Sequence, residues 1–422
     1  MKSVEAPKDS PEYQAYLWAR ERVLKMKEME SSRPGGADSP SDYWREELAN
    51  LDYMLDATPA IIRKLRHHCF HISGTRVYDY RSNQDAKQRN FKARLQELVG
   101  IAGKQLLVPE SPILGGFGFQ IDGNLYNIDT LKFFEVLIGM DLAGALDAFR
   151  GNQERRLVWE IGVGWGGFAY QFKTLFPNVT YLMVDFPELF LFSAVYLKAA
   201  FPQSRMSFYG EDADSELFAD WQKHDFIFTP STSLDALRPD RLDLTINMVS
   251  FQEMTTEQVR AYVKRASDLK CPALYSMNRD RSPYNKQLTN VRSVLSEYYD
   301  IRELDVLDSD YASAVKGSKR GEKSKEGLHY RHVVGRLPVA KERAKGPEVG
   351  IGMTLHNNAR YLEEALDSLL GQTYEDFGLI LVDDGSTDGT EEIVRRYAAR
   401  DRRIVSYRHN KRRGMVASWR KA

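Results

Sequence analysis

The feature that most constrains this chain is a glycine-rich turn set on the end of an apolar run, Leu157-Val158-Trp159-Glu160-Ile161-Gly162-Val163-Gly164-Trp165-Gly166-Gly167. A short apolar run bounded by glycines predicts a buried strand, and the helical spacing that begins at Phe168 predicts a helix directly behind the turn. Glycine at such a joint lets the backbone approach a ligand held at the helix N-terminus. A second apolar run, over 180–185, ends in Asp185, where a carboxylate can take ribose hydroxyls.

From 157 to about 337, short apolar runs alternate with helical patterns, which predicts a parallel sheet. Strands are expected at 157–162, 180–185, 225–229, 242–248 and 273–277, with helices such as 168–176 and 256–269 between them. Two closing strands, 300–307 and 329–337, are joined by the Lys/Gly/Ser-rich stretch 316–327 rather than by a helical pattern. Residues 1–150 read as a mainly helical region on the substrate side: a charged helical opening, a Ser/Pro/Gly-rich break at 31–42, a helical pattern over 43–65, an irregular stretch over 67–125 and a helix over 131–149. After residues 151–337, a linker at 338–347 leads into 348–422, where strands at 349–355, 377–382 and 403–407 alternate with helices at 360–370 and 390–400.

Bulk properties narrow the partners. With 59 basic and 59 acidic residues there is no global field to recruit nucleic acid or an anionic membrane, so anion binding requires a local site. Cys69 and Cys271 form no metal or redox spacing, and two cysteines in 422 residues fit a reducing cytoplasm. The opening 30 residues hold no apolar stretch of signal length, and no run is long enough to span a bilayer. The apolar stretch 189–201, interrupted by Ser193 and Lys198, reads as a buried helix.

Gly162, Gly164 and Gly167 also satisfy the dinucleotide fingerprint. Three features favour S-adenosylmethionine instead. Glu160, two residues before the first glycine, suits a cationic ligand and would serve a pyrophosphate poorly. The turn lies deep in the chain, and a strand pair closes the region. A turn that is glycine-rich for packing alone is the bland alternative.

On these residues the segment 157–186 resembles motif I and the acidic second strand of class I methyltransferases. More specifically, residues from about 43 to 337 resemble the sugar O-methyltransferase family found in polysaccharide gene clusters. That resemblance is carried by Gly74-Thr75-Arg76-Val77-Tyr78-Asp79-Tyr80, Gly123-Asn124-Leu125-Tyr126-Asn127-Ile128-Asp129-Thr130-Leu131, the glycine loop and Asn247-Met248-Val249-Ser250-Phe251-Gln252-Glu253-Met254. It implies a Rossmann-like α/β fold with seven strands and S-adenosylmethionine as cofactor. Glu160, Gly162, Gly164, Trp165 and Gly166 would hold its methionine end, Asp185 the ribose, and Phe186 and Ser231 would flank the adenine. Asn247 closes the fourth strand beside them.

Methylating a sugar hydroxyl needs a base for the departing proton, and Glu253 and His329 are the candidates. Glu253 reads equally as a surface carboxylate before a helix capped at Thr255 or Thr256. For His329 the competing reading is an ordinary exposed histidine, and the basic loop 316–325 reads either as a solvated loop or as a lid attracting a nucleotide-sugar or phosphorylated glycan. The segment Tyr126-Asn127-Ile128-Asp129 would either fold over the cofactor or simply cap a helix. His67, His68 and His71 match no strong metal spacing, and use of a divalent metal stays open.

The last region resembles the start of a family 2 glycosyltransferase of the GT-A type, on Gly350-Ile351-Gly352-Met353-Thr354-Leu355-His356-Asn357-Asn358 and Leu379-Ile380-Leu381-Val382-Asp383-Asp384-Gly385-Ser386-Thr387-Asp388. That resemblance implies nucleotide-sugar contacts at Asp383 and Asp384. Leu355 and His356 replace the proline and tyrosine usual near the first strand end. The family's metal-binding Asp-x-Asp and catalytic base would lie past Ala422, so this fragment is expected to be inactive and only marginally cored. The whole chain therefore reads as a sugar O-methyltransferase joined to the beginning of a glycosyltransferase, acting on a glycan acceptor, able to associate with polysaccharide assembly enzymes, and with its oligomeric state open. The rival readings are a non-catalytic cofactor-binding or scaffolding module and a methyltransferase for a non-sugar small molecule.

Overall fold

The computed structural model describes residues 7–31, 42–81, 84–151, 154–211, 214–279, 290–306, 330–338 and 349–409, with 411, 412 and 414. The chain divides into two compact units, residues 1–338 and 339–422. The linker expected at 338–347, the basic loop and His329 fall almost wholly outside the described residues.

The first unit is organised by strands with no polar face. Every residue of β4 (Val179–Asp185), β6 (Phe226–Pro230) and β7 (Leu244–Met248) is buried, as in a sheet covered on both sides. With β3 (Arg156–Ile161), β5 (Met206–Phe208), β8 (Ala273–Arg279), β9 (Asp300–Leu304) and β10 (Tyr330–Arg336) they form one sheet in the order β5-β6-β4-β3-β7-β8-β10-β9. Strands β3 to β8 run parallel, while β10 is antiparallel to both β8 and β9. This is the expected class I methyltransferase layout, with a short eighth strand, β5, added at one edge.

The helices bury what the sheet needs covered. In Phe190–Ala200 every residue from Phe190 to Leu197 is buried, which accounts for its mostly apolar text, and the buried Ser193 hydroxyl donates to Leu189 O. Among the described residues no helix is long and apolar enough to cross a membrane. The Ile128–Leu142 helix is likewise buried from Ile128 to Met140. Its Gly139 lies so close to β8 that an added Cβ would sit 2.0 Å from Tyr275 Oη.

The boundary expected near residue 150 does not separate two cores. Tyr16, Val23, Leu65, Phe91 and Phe134 belong to the same apolar cluster as Trp159 and Leu182. The long Pro11–Ser31 helix packs along Phe190–Ala200, with Trp18 edge-on to Phe208 at 5.4 Å. Glu30 accepts a hydrogen bond from Thr232 Oγ1 at 2.6 Å, so the N-terminal region is tied directly to the sheet.

Two local expectations fail. The helix expected over 43–65 is broken into Asp42–Ala49, the 3-10 turn Asp52–Asp56 and Pro59–Ile62, because Pro59 must begin a helix rather than continue one. The stretch expected to be irregular contains the Asp85–Ala102 helix, whose Phe91, Leu95 and Leu98 recur at helical spacing and are buried. It also contains a hairpin, β1 (Phe119–Ile121) with β2 (Asn124–Tyr126), turned by Asp122 and Gly123 at φ 51 and 82. Positive φ at both central residues is what a two-residue hairpin turn requires.

The second unit is a parallel sheet in the order β11-β12-β13, formed by Val349–Leu355, Phe377–Asp383 and Ile404–Arg408. It has its own small core, in which Leu362 and Leu366 from one helix and Ile393, Val394 and Tyr397 from another pack on Leu379 and Leu381.

The tight helix–sheet contact yields a stability test. Gly139→Ala should destabilise the protein by about 1–3 kcal/mol through overpacking. Tyr275→Phe, which removes the offending oxygen, should recover part of that loss in the double variant. Urea denaturation followed by circular dichroism measures both, and equal stability of Gly139→Ala and the parent would refute the contact.

Candidate functional site

The site forms where the parallel strands end. Gly162, Gly164 and Gly166 have φ of 75, 54 and 82, values that side-chain-bearing residues rarely adopt. Space excludes a side chain as well: a Cβ on Gly162 would lie 2.1 Å from Ser250 Oγ, and one on Gly167 would lie 2.2 Å from the Trp165 ring. Gly162 N–H donates to Val184 O at 2.8 Å, and Gly164 N–H donates to Asp185 Oδ2 at 2.8 Å. Asp185 Oδ1 accepts from Phe186 N–H, also at 2.8 Å. The acidic strand end therefore braces the glycine turn.

Asn247 braces the turn from the other side. Its Nδ2 donates to Ile161 O at 2.8 Å and to Ser250 Oγ at 2.7 Å, while its Oδ1 accepts from Phe251 N–H and Asn278 Nδ2. The adjoining Val249 takes φ 61, a strained setting for a β-branched residue, and it lies on the cavity wall.

One cavity of about 1210 Å³, counted to its open mouth, lies over these strand ends. Glu160, Gly162, Gly164, Trp165, Asp185, Phe186, Ser231 and Glu253, read separately from the sequence, all line it. Gly166 and Asn247 stand behind the wall: Gly166 caps the Gly167–Leu175 helix, and Asn247 spends its side chain on the loop. His329 lies outside the described residues, so Glu253 is the base candidate that the structure places.

The electrostatics of the wall are one-sided. Burial pushes the Glu160 carboxyl up to about 8, opposed by the hydroxyl that Tyr181 donates at 2.9 Å and reinforced by the nearby Asp185 charge. Burial raises Asp185 to about 7 despite its backbone donors. Glu253 is raised to about 8, again chiefly by burial, against a hydrogen bond from Trp44. Lys132 is the one cationic side chain among the described wall residues.

Lys132 and Trp44 were missed from the sequence. Trp44 comes from the Asp42–Ala49 helix, and its ring lies 5.6 Å from that of Phe186. Lys132 follows the segment 126–129 by one turn. That segment is itself a capped helix start, with Asn127 Oδ1 accepting from Asp129 and Thr130 N–H. Glu253 precedes a helix capped by Thr255, as one of its two readings required, and also lines the cavity. Among the described residues, no group of three His, Cys, Asp or Glu could hold a metal ion. His68 Nδ1 lies instead 2.9 Å from Tyr53 Oη.

In the second unit Asp383 and Asp384 close β12. Asp383 Oδ1 accepts from Ser386 N–H at 2.9 Å, its Oδ2 accepts from Arg408 Nε at 3.2 Å, and Asp384 Oδ2 accepts from Gly414 N–H at 2.7 Å.

Residues 351–422 match the model of the glycosyl transferase family 2. EpsE of Bacillus subtilis (strain 168), provisionally named a glycosyltransferase, is 44% identical over 70 residues, 16% of this chain and 25% of that protein. The uncharacterized glycosyltransferase EpsJ of the same organism is 47% identical over 58 residues, 14% of this chain and 17% of that protein. The chain thus spans a quarter or less of these curated relatives. Among solved structures, the N-methyltransferase NodS from Bradyrhizobium japonicum WM9, in complex with S-adenosyl-L-homocysteine, is 12% identical with a TM-score of 0.31, covering 59% of this chain and 98% of that one. An O-methyltransferase family protein from Burkholderia thailandensis is 12% identical with a TM-score of 0.29, covering 50% of this chain and 59% of that one. The first unit thus carries the strand order of a class I methyltransferase sheet, and the last 72 residues, 351–422, match the model of the glycosyl transferase family 2.

Proposed function

We propose that the first unit transfers a methyl group from S-adenosylmethionine to a sugar hydroxyl during the making of a cell-surface polysaccharide, in the cytoplasm. The observation that carries this reading is the convergence of Glu160, Asp185 and Glu253 on one cavity beside the glycine loop. Buried carboxylates facing each other are costly unless a cation joins them. S-adenosylmethionine brings two, an ammonium and a sulfonium, whereas a pyrophosphate would add repulsion.

The residues fit such a ligand in detail. Glu160 and the glycine loop would take the ammonium end, and Lys132 the carboxylate beside it. Asp185 would take the ribose hydroxyls with the lone pairs left free by its backbone donors. Ser231 Oγ, buried and without a protein partner, and Phe186 would meet the adenine. When bound, the cofactor supplies a methyl group made electrophilic by its sulfonium. Glu253 would accept the proton of the attacking hydroxyl, with Trp44 orienting it.

The second unit supports a glycan setting. Its likeness to glycosyltransferases favours a bifunctional chain in which Asp383 and Asp384 would face a nucleotide-sugar. A non-catalytic cofactor-binding module and a non-sugar methyltransferase remain distinct outcomes of the tests below.

Titration calorimetry at pH 7 in buffers of different ionisation enthalpy should show protons released as S-adenosylmethionine binds. Carboxyls held at about 7 to 8 are partly protonated there, and a cation drives them to ionise. Affinity should therefore rise from pH 6 to pH 8, and a buffer-independent enthalpy would contradict the charge assignment. Asp185→Ala should weaken binding at least about tenfold, the scale of a lost charged hydrogen bond.

Screening glycan acceptors should reveal turnover that Glu253→Gln lowers by about 10²- to 10⁴-fold, with S-adenosylhomocysteine affinity nearly unchanged. Only the deprotonated base works, so the rate at cofactor concentrations well below saturation, where the free site titrates, should climb as pH rises through about 8. Cofactor binding without turnover on any acceptor would favour the module, and methylation confined to non-sugar acceptors would favour the other enzyme.

A further inference from the structure

A buried chain of charges lies behind the glycine loop. Arg66 is wholly buried, yet it comes from the short Leu65–His68 helix rather than from the sheet. Its Nε donates to Glu110 Oε1 at 2.6 Å, and its Nη2 donates to Glu110 Oε2 and Asp129 Oδ2, each at 3.3 Å. The guanidinium carbon stands 3.6 Å from the centre of the Trp165 ring, so the same arginine backs the loop. Asp129 also accepts from Thr75 Oγ1 at 3.0 Å, and its Oδ1 lies 3.6 Å from Lys132 Nζ. Lys132 in turn lines the cavity, close enough to act on the Glu160 carboxylate.

Stability alone is a poor reason for this arrangement. Burying two ion pairs costs roughly what their attraction returns, and an apolar substitute of equal volume commonly does as well. What the chain of charges does provide is direction. A lysine has four rotatable bonds, and next to Glu160 alone its ammonium would collapse onto that carboxylate. The Asp129 carboxylate, 3.6 Å from the ammonium, competes for it. Arg66 and Thr75 fix Asp129 in turn, one on each carboxylate oxygen.

We propose that Asp129 is a positioning residue that holds the Lys132 ammonium on the cavity wall to receive the carboxylate at the amino-acid end of the ligand. This rests on the cavity being an S-adenosylmethionine site. It assigns residues 66, 75 and 129 a part in ligand selection, although none of them lines the cavity.

The test exploits the two ends of the ligand. S-adenosylhomocysteine carries the amino-acid end and adenosine does not, so only the first should feel Asp129. Calorimetry on the full chain should show Asp129→Asn weakening S-adenosylhomocysteine about tenfold, as for a displaced charged hydrogen bond, and adenosine less than about twofold. The double variant Asp129→Asn with Lys132→Met should bind no worse than Lys132→Met alone. Thr75→Val, which removes one hydroxyl, should shift the same ratio in the same direction by a smaller factor and covers the case of Asp129→Asn failing to fold. A merely structural role would weaken both ligands together, and that result, or an unchanged S-adenosylhomocysteine affinity, would overturn the proposal. If the parent chain binds neither ligand, the cofactor reading falls and this inference with it. Parent binding with equal losses in the variants removes this inference alone.

Discussion

The cavity depends on the hydrogen bond from Gly164 N–H to Asp185 Oδ2. A turn with three left-handed glycines gains nothing from helix or sheet pairing, and its amides must find partners elsewhere. Asp185 satisfies one, and the carbonyl of Val184 satisfies the amide of Gly162. The same two residues end β4, so the register of β4 on β3 sets the position of the brace. Asn247 does the equivalent from β7 by holding the Ile161 carbonyl. The turn is thus clamped between the two neighbours of β3, at the point where the strand order reverses and ligands bind in open α/β sheets.

This clamp has a cost that explains the charge pattern. Asp185 must be buried to reach the loop, and Glu160 and Glu253 are drawn into the same low-dielectric space. Their folded-state carboxyls are raised above ordinary carboxylate values. A raised acid stabilises the fold fully below the usual carboxylate range and loses that contribution as pH climbs through about 7 to 8. Near neutrality the ligand-free site therefore holds charge it would rather neutralise, and a cationic ligand relieves what folding imposed. Lys132 offsets only part of it.

Much of this was legible because the parallel strands announce themselves. Runs such as Val179–Asp185, buried at every position, leave no polar alternation to misread. The glycine turn and Asp185 were readable for the same reason, since backbone geometry demands those residue types at those points. Met206–Phe208 was missed because a three-residue strand carries no periodicity. Residues 67–125 were read as irregular although Phe91, Leu95 and Leu98 keep helical spacing, because the intervening charged residues dilute the pattern. Lys132 and Trp44 were invisible as site residues for a different reason. Their roles arise from tertiary placement, a helix behind the sheet and a segment tens of residues upstream, and no local signal encodes such distances. Asn247 shows the converse: its position at a strand end was right, but the side chain turns toward the loop's backbone rather than the cavity.

The second unit uses the same device. Asp383, like Asp185, ends a strand and accepts from the amide of the turn that follows, here Ser386 N–H at 2.9 Å. Gly385 takes φ 68 there, and an added Cβ would come within 2.8 Å of the backbone of Lys411 and Arg412. Arg408 reaches both Asp383 Oδ2 and the Ser386 carbonyl, at 3.2 and 3.1 Å. One arginine thus braces the acidic turn, where the first unit surrounds its glycine loop with carboxylates. The two turns, alike in backbone logic, are thus distinguished by the side chains set around them, an arginine beside Asp383 in one and buried carboxylates beside the glycine loop in the other.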